Sequence, residues 1–156
     1  MTPAPPFDAA AFEQALLADI PLARAMHVRV SAHDGDELAL AAPLPPNIND
    51  KGCAFGGSLV SLLTLAGWGL IVLKLAALGR DCDVFVQDSS VHYLAPVWTD
   101  ITAVARLAAG QSWSAFADTL ATRGRARLRV TCRVALADGS DACTLAARFV
   151  AIVRNS

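Results

Sequence analysis

The chain has 156 residues, of which 54% are apolar and 17% charged, and its formal net charge is −1. This composition excludes a disordered chain and is sufficient for one domain with a sizeable core. Because 13 Lys and Arg balance 14 Asp and Glu, a generally basic nucleic-acid-binding protein is excluded as well. The four cysteines are scattered without a Cys-x-x-Cys pair, so we expect no structural zinc site, reduced thiols and a cytoplasmic location.

One uncharged segment, from Cys53 to Leu73, is long enough to cross a bilayer. It contains four glycines and three Ser or Thr residues, and the flanking Lys51 and Lys74 show no sidedness. We therefore predict a helix that its own domain buries on all sides, and no membrane partner. The first residues lack the features of a signal peptide. No linker divides the chain, so we expect a single domain over 1–156 with a loose arm at 1–6.

Hydrophobic spacing and turn residues predict the elements in chain order. A short helix is predicted over residues 7–18, with Asp8 as N-cap and Pro21 after its end. Asp34 and Gly35 predict a hairpin turn. The other predicted elements are strands at 26–30 and 38–42, a long apolar helix at 57–78, strands at 83–94 and 100–107, a short helix at 112–122, and strands at 125–136 and 142–153.

The order of these elements predicts an α+β fold. A helix that is apolar all round needs cover on every side, and a curved antiparallel sheet supplies that cover. We therefore expect the sheet to wrap around the helix at 57–78.

Several motifs resemble those of the hotdog-fold acyl-thioesterases. The segment Asn49–Gly57 is similar to the family's loop Asn-x-x-Gly-x-x-His-Gly-Gly, with Phe55 in place of the His. The end of the next strand, Tyr93–Pro96, is also similar. More narrowly, Asn49–Gly52, Ala66–Gly69 and Gly124–Arg127 resemble the YiiD-type thioesterase domain.

The resemblance implies hydrolysis of an acyl thioester carried by coenzyme A or by a carrier protein, with no metal and no organic cofactor. It implies an antiparallel sheet around the long helix, and a homodimer or higher homo-oligomer with joined sheet edges and an active site between subunits. Two other functions remain open. One is an acyl-thioester-binding or partner module without turnover, and the other is a hotdog hydratase or dehydratase.

The start of the long helix is the first candidate for catalysis. A helix N-terminus presents unpaired amides and a partial positive charge, which suit a developing oxyanion. We expect the Gly57 amide to donate to it, with Gly56 and Phe55 contacting substrate. Alternatively, the glycines only permit a tight turn.

Two polar residues of the preceding loop are candidates for chemistry. Asn49 occupies the position that, by resemblance, orients water or the carbonyl; alternatively, it holds the loop through an Asx turn. Asp50 is a candidate general base; alternatively, it caps the helix or pairs with Lys51 or an arginine.

The position that usually carries the family's carboxylate is here Thr64. A threonine is not a base at neutral pH, so its candidate role is to position water or, beside a base, to attack as a nucleophile. Alternatively, its hydroxyl bonds its own helix backbone. Ser61 and Trp68 share its helix face, and we expect Ser61 to contact substrate.

The strand after the helix carries the second candidate base, Asp88. Alternation predicts one face for Val86, Asp88, Ser90 and His92. Ser90 and His92 are candidates for binding water or substrate; alternatively, all three polar residues lie on a solvated or interface face. A catalytic triad is excluded because strand neighbours two apart point the same way.

Arginines alternate along the predicted strand at 125–136. Arg125, Arg127, Arg129 and Arg133 fall on one face, opposite an apolar face. Arg125 and Arg127 are candidate ligands for the phosphates of coenzyme A, because guanidinium groups bind phosphate in a bidentate manner. Alternatively, the row is a solvated face with partly paired charges.

Overall fold

A computed structural model describes residues 7–155 of the chain; the predicted arm at 1–6 lies outside the described residues. The helices are α1 (Ala9–Asp19), α2 (Pro21–Met26), α3 (Gly56–Ala77) and α4 (Trp113–Arg123), with a 3₁₀ turn at Pro45–Asn47. The strands are β1 (Arg29–His33), β2 (Glu37–Ala42), β3 (Cys82–Tyr93), β4 (Ile101–Leu107), β5 (Arg125–Ala135) and β6 (Asp141–Val153).

The six strands form one antiparallel sheet in the order β1-β2-β4-β5-β6-β3. Helix α3 packs against strands from β2 to β6, and its buried residues join the inward residues of the sheet in one core. The strict alternation of buried and exposed residues along β5 gives the sheet one core face and one outer face. These observations confirm the predicted α+β arrangement around the long helix.

Close packing explains why α3 is apolar on nearly all sides. A Cβ atom added at Gly69 would lie 2.5 Å from the ring of Phe12 in α1 and 2.8 Å from Leu38 in β2. By length and hydropathy α3 would also suffice to cross a membrane, but 56% of its most apolar window is buried within the domain. A core helix meets the same criteria, and the burial agrees with that interpretation.

The predicted strand at 26–30 is wrong in its first half. Pro21 ends α1 but also begins α2, because its fixed φ suits the first position of a helix. His27 ends α2 in the left-handed conformation, at φ 57°, and the strand begins only at Arg29. Met26 and Val28 are buried as expected, but the helix and its cap bury them rather than an alternating strand.

The prediction that Val86 shares a face with Asp88, Ser90 and His92 is wrong, because β3 contains a β-bulge. Val86 lies opposite Phe149 of β6, whereas Asp88 lies opposite Arg148, so Gln87 is the extra residue. Since Phe149 is buried in the core and Arg148 lies on the outer face, Val86 and Asp88 lie on opposite faces. Asp88, Ser90 and His92 keep their common face, which is the outer one.

Candidate active site at the start of helix α3

Helix α3 begins with backbone amides that no side chain caps. Its N-cap residue, Phe55, is extended (φ −67°, ψ 133°) and makes no side-chain cap hydrogen bond. The first intrahelical bond runs from the Leu59 amide to the Phe55 carbonyl, at 3.0 Å. The amides of Gly56, Gly57 and Ser58 therefore belong to the free first turn, where the helix dipole concentrates positive charge.

Two aromatic rings stand beside these amides. A Cβ atom added at Gly57 would lie 2.4 Å from Cε1 of Phe55, and one added at Gly56 would lie 3.3 Å from Cε1 of Tyr93. Both rings are more than half exposed. Glycine at these two positions therefore lets the rings approach the backbone closely, and the rings exclude part of the water from the helix start.

A groove leads from the helix start along the exposed side of α3. One cavity of about 310 Å³ is bounded by Phe55, Gly57, Ser61, Leu22 and Met26, among others. A second cavity of about 250 Å³ shares Leu22 and Ser61 with the first cavity and continues to Thr64 and Leu65. The walls of this groove are mainly apolar, which suits an acyl chain.

Asn47 was not among the predicted site residues. It lines the first cavity, yet only 1% of its surface is exposed. Its Nδ2 donates to the carbonyls of Met26 (3.0 Å) and Pro43 (2.8 Å), which fixes the amide orientation, and its Oδ1 has no partner within residues 7–155. A buried carbonyl oxygen of this kind can accept a hydrogen bond from water or from a ligand.

The side chain of Asn49 holds its own loop. Its Oδ1 accepts from the amides of Lys51 (2.8 Å) and Cys53 (3.2 Å), and its Nδ2 donates to Sγ of Cys53 at 3.2 Å. This geometry matches the Asx-turn alternative. The loop is also tied to α3, because the Phe55 amide donates to the Asn47 carbonyl at 2.7 Å.

The two candidate bases do not line the groove. Asp50 lies on the exposed loop before α3 and pairs with Lys51 at 3.0 Å. Asp88 lies on the outer face of the sheet, with Oδ2 3.3 Å from Nε of Arg148.

The hydroxyls of α3 that line the groove bond to the helix itself. Thr64 Oγ1 donates to the Val60 carbonyl at 2.8 Å, and Ser61 Oγ donates to the Gly57 carbonyl at 2.7 Å. The helix-bonding alternative for Thr64 is therefore the arrangement observed. Trp68, predicted on the same face, donates its Nε1 proton to the Val84 carbonyl at 3.1 Å and packs against the core.

Cysteine chemistry is disfavoured in the core. Burial raises the pKa of Cys132 to about 12 and also raises that of Cys143. A thiol with a raised pKa carries little thiolate at neutral pH and is a poor nucleophile. Within residues 7–155, no group of three His, Cys, Asp or Glu side chains is arranged to hold a metal ion.

The other predicted ligands lie on the outer face. Ser90 and His92 line a cavity on that face. Arg125 and Arg127 lie on the same face but do not line this cavity or the one next to it. Arg127 donates to the Gln87 side chain at 2.9 Å. The structure thus brings Phe55, Gly56, Gly57, Ser61 and Thr64 together at one groove and leaves the remaining predicted ligands on the other side of the sheet.

The sequence carried little signal for the residues that prediction missed. Tyr93 ends a strand that was predicted, but its contact with Gly56 depends on how β3 meets α3. Asn47 follows two prolines in a short turn, and its buried amide bonds to the Met26 carbonyl at the end of α2. Leu22 belongs to the helix that was missed.

The architecture defines the molecule as a hotdog fold, in which one antiparallel sheet wraps a long central helix. The chain belongs to the family described as "Putative thioesterase (yiiD_Cterm)", whose sequence model matches residues 9–153. This confirms the resemblance of the loop and helix motifs.

Solved structures support the same assignment. A Chlorobaculum tepidum protein of unknown function is 27% identical, with a TM-score of 0.88 over 94% of each chain. A protein from Shewanella oneidensis described as a putative thioesterase is 26% identical, with a TM-score of 0.81 over 92% of this chain and 96% of that one. A thioesterase from Haemophilus influenzae, 17% identical over 94% and 92%, shares the fold with a TM-score of 0.72.

Proposed function

We propose that the protein hydrolyses acyl thioesters of coenzyme A or of a carrier protein. The observation that carries this proposal is the uncapped start of α3, where free amides adjoin an apolar groove. The thioester carbonyl would lie at Gly57, and the acyl chain would follow α3 past Ser61 and Thr64. Membership of a thioesterase family supports the same reaction.

The chemistry follows from what the helix start offers. Water attacks the carbonyl carbon, the carbonyl oxygen becomes an oxyanion, and the thiolate then leaves and takes up a proton. The Gly57 amide donates a hydrogen bond to the oxyanion, and the helix dipole stabilises its charge. Fixed amides serve better than mobile water here, because they need no reorganisation as the charge develops.

Asp50 is the base in this proposal, and because it does not line the groove of its own chain, the homodimer would have to bring it to the groove of the second copy. Asp50 lies on the loop that leads directly into α3, and its only ion-pair partner within residues 7–155 is Lys51, on the exposed surface. Asp88 is the alternative, but it lies on the outer face beside Arg148. Asn47 Oδ1, which has no described donor, would accept a hydrogen bond from water in the groove.

A homodimer belongs to the same proposal. Strand β3 is a sheet edge twelve residues long, and it exposes Phe85 by 55% and Val86 by 47%. A long exposed apolar edge is a template for pairing with another strand. Pairing of β3 with its counterpart in a second copy would cover this edge and bring the second copy close to the groove.

The test is the steady-state loss of thioester absorbance with acyl-coenzyme A substrates of increasing chain length. Direct absorbance avoids thiol reagents, which would also react with the protein's cysteines. We expect turnover with a preferred chain length, loss of turnover in Asp50→Asn with the melting temperature unchanged, and full turnover in the matched control Asp118→Asn on α4. Turnover that survives Asp50→Asn but not Asp88→Asn would contradict our choice of base.

A binding module without turnover is the second candidate. Its supporting observation is that the cavity beside Gly57 is lined by no ionisable side chain. Binding of an acyl-coenzyme A that raises the melting temperature, without hydrolysis of any substrate, would favour this function over the first.

A further inference from the structure

The outer face of the sheet concentrates positive charge in a protein whose net charge is −1. Six arginines lie there: Arg106, Arg125, Arg127, Arg129, Arg133 and Arg148. Within residues 7–155, only three of them have a carboxylate partner: Arg106 pairs with Glu37, Arg133 with Asp141 and Arg148 with Asp88. The face therefore keeps uncompensated positive charge.

Two cavities on this face form one groove. The first, of about 290 Å³, is bounded by Arg129 and Arg148, and the second, of about 370 Å³, by Arg106 and Arg133. They share Ser90, Thr131 and Ala146, whose small side chains form the floor between the long arginines. Neither shared hydroxyl makes a hydrogen bond to another described residue, so both are free to donate.

The arginines at one end of the groove are unfavourably placed without a ligand. Arg129 lies directly opposite Arg148 in the register of β5 and β6, and like charges in that position destabilise a sheet. Nε of Arg148 is buried and makes no hydrogen bond, although Asp88 lies 3.3 Å away. The Arg129 guanidinium makes none either within the described range. The Arg148 side chain is 35% exposed, so an anion between the two guanidinium groups would meet its exposed part, reduce the repulsion and supply acceptors.

We propose that this groove binds the phosphate groups of a nucleotide, and that the nucleotide is the one carried by coenzyme A. Phosphate oxygens match the donors present, since guanidinium groups bind phosphate in a bidentate manner and hydroxyls donate to it. The identity of the nucleotide rests on the proposed thioesterase function, whereas the affinity for phosphate does not.

The outer groove and the start of α3 meet at the end of β3. The ring of Tyr93 adjoins Gly56, and the next residue towards the strand centre, His92, lines the outer groove. From His92 to Asp88 the strand covers about 13 Å. Pantetheine is an extended chain with two amides, and in this proposal it runs from the thioester at Gly57 around the end of β3 and along this strand to phosphates near Arg148.

The first test is calorimetric titration of the whole protein with adenosine 3′,5′-bisphosphate. We expect Arg129→Gln and Arg148→Gln each to weaken binding by roughly tenfold to a hundredfold. Asp88→Asn should tighten it, because it removes a competing carboxylate. Arg123→Gln, which removes one charge from α4 outside the groove, is the matched control and should leave the affinity as it is.

The second test compares hydrolysis of an acyl-coenzyme A with that of the same acyl group on pantetheine. We expect the wild type to prefer the coenzyme A substrate in kcat/KM, and the two arginine variants to lose that preference while hydrolysing acyl-pantetheine as before. If no substrate is hydrolysed, the proposed function fails, but the titration still decides whether the groove binds nucleotide phosphate.

Four results would overturn the proposal. If the two arginine variants bind the bisphosphate as tightly as the wild type does, the groove is not the phosphate-binding site. If inorganic phosphate binds as tightly as the bisphosphate, the groove binds phosphate without recognising a nucleotide. Dissociation of an oligomer in the arginine variants would show that the outer face binds a second copy of the chain. Hydrolysis of an acyl-carrier substrate that depends on these arginines more than hydrolysis of acyl-coenzyme A would show that the face binds a carrier protein.

Discussion

At the scale of single residues, Gly57 is the most demanding position of the candidate site. We expect Gly57→Ala to lower kcat/KM roughly ten- to hundredfold, because its Cβ would lie 2.4 Å from the Phe55 ring and force that ring across the helix start. The ring is half exposed, so the melting temperature should change little. Because Phe55 also bounds the groove, the reference is Phe55→Ala alone. Adding Gly57→Ala to that variant should cost little further activity in the absorbance assay, and a further ten- to hundredfold loss would contradict the crowding argument.

Asn47 and Asn49 offer a matched pair of amide-to-acid substitutions. Asn47 donates one buried and one partly buried hydrogen bond to backbone carbonyls, so Asn47→Asp should lower the free energy of unfolding by about 3 kcal/mol at pH 7. Asn49 accepts from two backbone amides and donates only to Sγ of Cys53, so Asn49→Asp should cost less, since a carboxylate accepts as well and only a bond to sulfur is lost.

The Asn47→Asp variant should also depend on pH in a defined direction. Burial against carbonyls raises the folded-state pKa of the new carboxyl above its unfolded value of about 3.9. Its stability relative to the wild type is therefore highest below pH 4 and falls as the pH rises through the folded-state pKa. Denaturant unfolding of both proteins between pH 3 and 8 measures this dependence. If the difference between their free energies of unfolding does not change with pH, the side-chain amide of Asn47 does not donate as described.

At the scale of elements, the contact of α1 with α3 depends on Gly69. Gly69→Ala should lower the free energy of unfolding by roughly 1–3 kcal/mol, despite the better helix propensity of alanine, because its Cβ would lie 2.5 Å from Phe12. Denaturant unfolding of Gly69→Ala, Phe12→Leu and the double variant measures the coupling. A cost that stays the same in the Phe12→Leu background would mean that another contact is responsible.

Elements whose pattern repeats over many residues could be predicted from the sequence. The uncharged run at α3 and the alternation along β5 each give a long, consistent signal. The missed helix α2 has only six residues, and the bulge at Gln87 shifts the face of β3 without a glycine or proline to mark it.

The candidate site was predicted only in part, for the same physical reason. Gly56 and Gly57 are adjacent glycines directly before a long apolar run, so the sequence alone predicts the start of α3 as a candidate site. The burial of Asn47 and the placement of Asp88 on the outer face depend on contacts between segments far apart in the chain. Residue type and local spacing do not encode such contacts.

At the scale of the whole molecule, the two edges of the sheet differ in what they expose. Strand β3 has twelve residues and exposes Phe85 and Val86, whereas β1 has only five residues, and each of the two strands carries one bulge. Short edges resist pairing, and long edges with exposed apolar residues favour it. A proposed dimer should therefore form through β3 and not through β1.

The substitution Phe85→Lys tests this assignment, with Ala32→Lys on β1 as its counterpart at the other edge. Light scattering should find a dimer for the wild type and for Ala32→Lys, and a monomer for Phe85→Lys, because a charge on the paired edge must be desolvated or repelled by its symmetry mate. If the second copy completes the groove at α3, thioester hydrolysis should fall in parallel with the dimer fraction and recover at high protein concentration. A Phe85→Lys variant that stays dimeric would place the contact elsewhere. A monomer with full activity would instead show that one chain holds the whole site.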